Sequence, residues 1–177
     1  RNMENLIWAN IYIFILGIVL ALIEIQIEGK HAWATQLPTW RPTDAKWYAR
    51  IYRRMMSGKE LTGYHASLFT FIILIFYLPY FYNYPLTLDH WLKTISTTLM
   101  FMVLWDFQWM ILNPHYPLKH FTKEHIWWHK KWLLGLPQDY YGGLALALVV
   151  LVPLMLQSAS LDAVYWWGMN VGLFSAQ

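Results

Sequence analysis

Four long stretches of this chain carry almost no charge, and its polar residues crowd into the segments between them. Residues 6–23 are uncharged and interrupted only by Asn10. At ~1.5 Å per residue, a helix of that length crosses most of a hydrocarbon core of ~30 Å. The next stretch, 64–86, opens beside His65 and contains Pro79 and Pro85, which are placed to end or kink it. Its Tyr80, Tyr82 and Tyr84 read as an aromatic belt. Residues 94–112 hold one carboxylate, Asp106, and residues 140–161 hold none. The pattern predicts an all-α fold, an integral membrane four-helix bundle forming a single membrane domain over 1–177. Its spans are expected at about 6–26, 64–84, 93–112 and 140–161, with short interfacial amphipathic helices in the segments 27–63 and 113–139.

Residues 163–177 are uncharged but too short to cross alone, so they are expected to form an interfacial Trp/Tyr segment or the start of a fifth helix. Arg1 is not an initiator methionine, so the numbering is expected to begin inside the native chain. The first apolar run lacks the basic leader and small-residue cleavage site of a signal peptide.

Charge sets an orientation. Of the 13 Lys and Arg residues, all but Arg1 and Lys93 fall in 27–63 or 113–139. In a four-span chain those segments share a side, and the positive-inside rule makes it cytoplasmic, with both termini opposite. The pI of about 9.1 then needs no nucleic-acid partner, since anionic lipid is enough to meet it.

Composition agrees. The chain is 58% apolar and 13% charged, against ~25% charged in soluble domains. Its 12 Trp, 12 Tyr and 9 Phe suit belts and helix packing. With no Cys, disulfide scaffolds, zinc ribbons, Cys-ligated clusters and thiol catalysis are excluded.

The same topology gathers the polar chemistry. Glu24, Glu28 and His31 fall at i, i+4 and i+7 where the first span meets the cytoplasmic side; Glu60 and His65 open the second. Asp106 lies near the cytoplasmic end of the third, with Asn113 seven residues on, and Asp139 opens the fourth. His115, His120, His125 and His129 lie between the last two spans, which leaves only His90 on the far side. A carboxylate at the centre of a span costs about 2.5–3.5 kcal/mol, so Glu24 and Asp106 are expected to meet a cation, a histidine or a metal.

Two ligand spacings stand out. Thr122 is placed to cap a helix running to about Leu134, with Gly135 and Pro137 beyond it, and on that helix His125 and His129 would face the same way. Glu28 and His31 form an ExxH pair like those of di-iron carboxylate bundles. Each also has a plainer reading, as a helix end among headgroups or as interfacial histidines beside Trp127, Trp128 and Trp132. In residues 43–57, Trp47, Ile51 and Met55 make an apolar stripe flanked by Lys46, Arg50, Arg53 and Arg54, the pattern of a helix lying on an anionic leaflet. Arg50, Arg53, Arg54 and Lys130 are the expected headgroup contacts, and the small residues Gly142 to Ala147 favour close helix packing, within the bundle or with a second copy.

These residues support a membrane metalloenzyme acting on a lipid-soluble substrate. Its metal would be iron first and zinc second, with one or two ions held by Glu28, His31, His65, His115, His120, His125 and His129. Asp106 and Glu24 would be the catalytic carboxylates. In outline the arrangement resembles the histidine-box membrane hydroxylases and desaturases, and that resemblance implies a di-iron site on the cytosolic side of a small helical bundle. Their HxxHH boxes do not occur here; His125-xxx-His129 and the steps His115–His120 and His120–His125 come nearest. A zinc-dependent lipid hydrolase would use Glu24 or Asp106 as base. From a different class, the chain would be a non-catalytic subunit or lipid-binding module, either a homo-oligomer or part of a larger membrane complex. Transport and bis-histidine haem binding have the least to build on.

Overall fold

The computed structural model describes residues 2–158 and 167–170. In chain order these form α1 (Asn2–Glu28), α2 (Trp47–Met55), α3 (Gly63–Phe81), α4 (Leu88–Leu112), a 3-10 turn at Leu118–His120, a hairpin of β1 (Trp132–Leu133) and β2 (Leu136–Pro137), α5 (Gln138–Val149) and α6 (Val152–Ser158). Four stretches are helical, long and apolar enough to cross a membrane: Glu4–Glu28, Gly63–Phe81, Leu88–Leu112 and Gln138–Leu156. The expected C-terminal segment 163–177, and the last residues of the fourth expected span, lie outside the described residues except for a helical turn at 167–170.

Helix α4 is the most buried of the four. Phe101, Leu104, Trp105, Trp109 and Met110 on α4 meet Ile13, Leu20, Ala21 and Ile25 of α1 in one core cluster, which Ile72 of α3 and Trp128 of the following loop complete. Gln108 crosses the α1–α4 seam and donates Nε2 to the carbonyl of Phe14 at 3.2 Å. On the other flank, Gly143 lets α5 approach closely, because a Cβ there would stand 2.7 Å from Val103 Cγ2. Within the small-residue run, Gly143 thus serves contact inside the bundle. Outward faces stay apolar, with Trp8, Tyr12 and Ile15 on α1 and Phe71, Leu74 and Leu78 on α3 all exposed, a surface compatible with lipid.

The helix ends follow local chemistry. Thr62 and Thr87 cap α3 and α4, accepting from the backbone N–H of His65 and His90. Pro79 sits in the last turn of α3, which stops at Phe81, earlier than the expected 84. The fourth apolar stretch is divided: Pro153 has no N–H to return to Val149, and the chain turns at Val150 and Leu151 before α6 begins.

Two expected elements differ. The amphipathic helix is shorter than 43–57, at Trp47–Met55, and carries Trp47, Ile51 and Met55 exposed. The second loop holds no helix from Thr122 to Leu134. Thr122 closes one turn, its carbonyl accepting from the N–H groups of His125 and Ile126, and the chain then enters the hairpin. Leu134 (φ 48°) and Gly135 (φ 82°) make its two-residue turn, a left-handed pair that suits a hairpin and ends any helix.

Candidate metal centre

The two polar loops meet at one end of the bundle. Asn113 donates Nδ2 to the carbonyl of Gly29 at 2.9 Å, and Tyr116 donates its hydroxyl to the carbonyl of Lys30 at 2.9 Å. Ser57 reaches from the first loop to Asp139 at 2.7 Å. Gly29 itself ends α1 by adopting φ 58°, which glycine does without steric cost. The helical ExxH pair is therefore not formed: α1 stops at Glu28, and His31 lies in the turn beyond.

Glu28 turns inward instead. Five and six residues on, Trp33 (φ 60°) and Ala34 (φ 51°) take left-handed conformations that point both of their backbone N–H groups at its carboxylate; Ala34 N lies 2.5 Å from Oε1. This segment is pinned to the start of α3. Trp33 donates Nε1 to the carbonyl of Glu60 at 2.7 Å, Thr39 Oγ1 accepts from Tyr64 N at 2.8 Å, and Arg41 pairs with Glu60 at 2.8 Å and with the carbonyl of Ala34. The result lays the Trp33 indole against His65, with ring centroids 4.1 Å apart and planes 16° from parallel. Lys59 Nζ stands 4.8 Å from the Trp33 ring.

Glu24, Glu28 and His65 thus converge, all buried, with one potential ligand atom from each inside a 4.8 Å span. His65 Nε2 is 3.7 Å from Glu28 Oε1. That is too long for a hydrogen bond and close to the ~3.4 Å between two ligand atoms on a tetrahedral ion with bonds of ~2.1 Å. Thr62 Oγ1 lies 2.8 Å from His65 Nδ1. With the Nδ1 proton donated to that hydroxyl, Nε2 keeps its lone pair toward the carboxylates, the usual arrangement of a metal-ligating histidine. Among the described residues Glu24 has no hydrogen-bond or ion-pair partner, although it is only 8% exposed.

A second cluster adjoins the first. His129 is buried between two carboxylates, with Nε2 3.1 Å from Asp106 Oδ2 and Nδ1 3.2 Å from Asp139 Oδ2. Tyr140 donates its hydroxyl to the same Asp106 oxygen at 2.6 Å, and Lys59 Nζ approaches Asp139 at 3.7 Å. Burial alone would lower the His129 pKa, but the Asp106 charge and the hydrogen bonds its ring makes to both carboxylates raise it above the ordinary histidine value. With both ring nitrogens engaged by carboxylates, His129 has no free lone pair for a metal. Asp106 Oδ1 takes no hydrogen bond among the described residues.

Both clusters open on one cavity of about 510 Å³. Glu24, Glu28, His65, Asp106 and Lys59 stand at its polar end, and Phe69, Ile73, Leu99, Met102, Trp105 and Trp109 form much of the apolar remainder. Ile73 lies eight residues along α3 from His65, and Leu99 seven residues before Asp106, so the cavity extends ~10–12 Å along the helices from its polar end. Met55 and Ile73 line it and are also exposed, which places an opening beside α2 and α3.

The remaining sequence candidates lie apart. His115 and His125 are exposed, and His120 stacks on His125 with centroids 4.3 Å apart; none of the three joins the Glu24 group. Arg50, Arg54 and Lys130 are exposed, whereas Arg53 is taken by Asp44 at 2.9 Å. Sequence reasoning missed Thr62, Trp33 and the buried Lys59. A threonine three residues before His65 was the one available signal, as a helix cap. Comparison with models of protein families, with curated proteins and with solved structures finds no match for this chain.

Proposed function

We propose that this protein is an integral membrane metalloenzyme whose Glu24, Glu28 and His65 hold a metal ion at the polar end of a cavity for a lipid-soluble substrate. The observation that carries the reading is Glu24, a nearly buried carboxylate with no partner of its own, within ligand distance of a second carboxylate and of an imidazole. A carboxylate so buried keeps its charge only where a cation meets it. Carboxylate and imidazole together suit iron, manganese or zinc.

The four apolar helices and their apolar outward faces support insertion in a membrane. The basic loops at that end favour a site on the cytoplasmic side, where α2 would lie on the leaflet and Arg50, Arg54 and Lys130 would meet the headgroups. A substrate in the bilayer would enter beside Ile73 and Met55. A bound metal would supply Lewis acidity or redox chemistry to a group lodged at the polar end. Asp106, fixed through one oxygen by His129 and Tyr140, presents the other as a proton acceptor within the same cavity.

Elemental analysis of detergent-purified protein tests this. Wild type is expected to carry a stoichiometric transition metal that is lost in Glu24→Gln and His65→Ala but kept in His125→Ala. Metal retained in both site variants, or absent from the wild type, would overturn it, and the second result would favour a lipid-binding subunit.

A further inference from the structure

The hairpin that leads into α5 holds its base against the bundle and its apolar tip away from it. Its strands pair Trp132 with Pro137 and Leu133 with Leu136. Trp132 packs on Phe121 with ring centroids 5.2 Å apart and donates Nε1 to the carbonyl of His129 at 2.8 Å, while Pro137 is buried. Leu133 and Leu136 are exposed, and Leu134, at 87%, is the most exposed large apolar side chain among the described residues. Leu134 also suits its backbone poorly. At φ 48° it takes the first position of a left-handed two-residue turn, where Asn, Asp or Gly is the ordinary choice and a bulky side chain is strained. Neither turn chemistry nor packing within the chain accounts for a leucine there.

Lysines frame this tip. Lys130 and Lys131 precede β1 and are both exposed. Residues 113–139 carry four lysines against two acids, and one of those acids, Asp139, is already engaged by His129 and Ser57. The Ser57 contact, at 2.7 Å, also ties the hairpin base to the chain just after α2. Gly58 leaves room there for the Lys130 ammonium, which a Cβ would strike.

Resting on the membrane reading above but not on the metal, we infer that the hairpin tip is a wedge that sinks Leu133, Leu134 and Leu136 into an anionic leaflet while Lys130 and Lys131 pair with its phosphates. Apolar area next to positive charge is the combination that binds interfacial segments. Three extended residues separate Lys131 from Leu134, a reach of about 10 Å. With the lysine among headgroups, that reach carries the leucine to the start of the acyl chains, the depth at which interfacial segments bury their apolar faces. The placement fits as well, because α5 begins at Gln138, directly after Pro137, and belongs to the fourth apolar stretch. A second copy docked tip to tip would bring its own lysines against these, a like-charge contact that a phosphate surface avoids.

The chain has no cysteine, so one introduced residue carries one label. The full chain bearing a nitroxide on Leu134→Cys is placed in phosphatidylcholine nanodiscs with or without phosphatidylserine. Collision with oxygen, which partitions into lipid, is compared with collision with a water-soluble nickel chelate. A label on Leu74→Cys, exposed near the middle of α3, reports the span itself. Oxygen is expected to dominate at position 134 in the anionic discs. The ratio of inserted to free label should fall about fivefold for each of Lys130→Gln and Lys131→Gln. Leu133→Cys gives the same readings if Leu134→Cys does not fold. Nickel dominance at 134 with oxygen dominance at 74 would overturn the inference and leave the membrane reading standing. Insertion indifferent to phosphatidylserine and to both lysines would also overturn it, as would protection from both reagents, which would mean that protein covers the tip. Nickel dominance at both positions would overturn the membrane reading as well.

Discussion

His129 Nε2 lies 3.1 Å from Asp106 Oδ2, and through this contact the loop after α4 is joined to the interior of the bundle. The imidazole is almost fully buried, while each of its two carboxylate partners keeps about a third of its side-chain surface open, at 31% for Asp106 and 33% for Asp139. Charge-assisted bonds of this kind contribute about 1.5–3 kcal/mol each where buried, and less where one partner is open. His129→Ala is therefore expected to destabilise the protein by about 2–3 kcal/mol, read as a fall in Tm or in denaturant midpoint, with a smaller loss for His129→Gln.

The same pair makes stability depend on pH in a direction that can be worked out. The folded His129 pKa is raised, since the Asp106 charge and the two carboxylate hydrogen bonds outweigh burial, which acts first and in the opposite sense. A raised pKa means that the folded state holds its proton more tightly than the unfolded state does. The contribution is complete below the unfolded value near 6.5 and is lost as pH rises through the folded value. The stability gap between wild type and His129→Gln should thus be widest in mildly acidic buffer and shrink on the alkaline side. A gap that widens from pH 6 to pH 9 would contradict the assignment.

Thr62 offers a test of how the candidate centre is oriented. Its hydroxyl, 2.8 Å from His65 Nδ1, fixes the ring so that Nε2 faces Glu28. Thr62→Val keeps the shape but removes that oxygen, and metal affinity should fall about 10–100-fold, as it does when such outer partners are lost. Thr62→Ser should restore most of it. Competition with a chromophoric chelator measures both, and equal affinities in Val and Ser variants would remove Thr62 from the site.

How much of this was legible beforehand differs from residue to residue. The four apolar helices follow from uncharged runs long enough to read without tertiary context. Glu24 and Asp106 were legible because a carboxylate inside such a run needs a reason. The ExxH and HxxxH spacings misled because both presumed helices that do not form: Gly29 ends α1 after Glu28, and the loop makes only turns between Thr122 and His129. The imidazole that lies beside Glu24 and Glu28 is that of His65, distant in sequence, and the fold alone brings it there. The left-handed turn at Trp33 and Ala34, which aims two N–H groups at Glu28, has no glycine to announce it. His129 is drawn inward by aspartates on α4 and α5, a pull that helical periodicity does not register.

Gly143 gives a prediction on packing alone. A Cβ at this position would stand 2.7 Å from Val103 Cγ2, closer than side chains tolerate, so the α4–α5 seam depends on the missing methyl. Gly143→Ala gains helix propensity of ~1 kcal/mol, yet overpacking costs about 1–3 kcal/mol, and the net effect is expected to be destabilising. Because α5 begins at the residues that hold His129 and Asp106, a displaced seam should also loosen Tyr140 from Asp106. Val103→Ala removes the methyl that collides, so the double variant should recover the loss and show a coupling energy of about 1 kcal/mol or more. Thermal unfolding of the four proteins of this cycle decides the matter: additive effects would mean that α5 does not rest on α4 at Gly143.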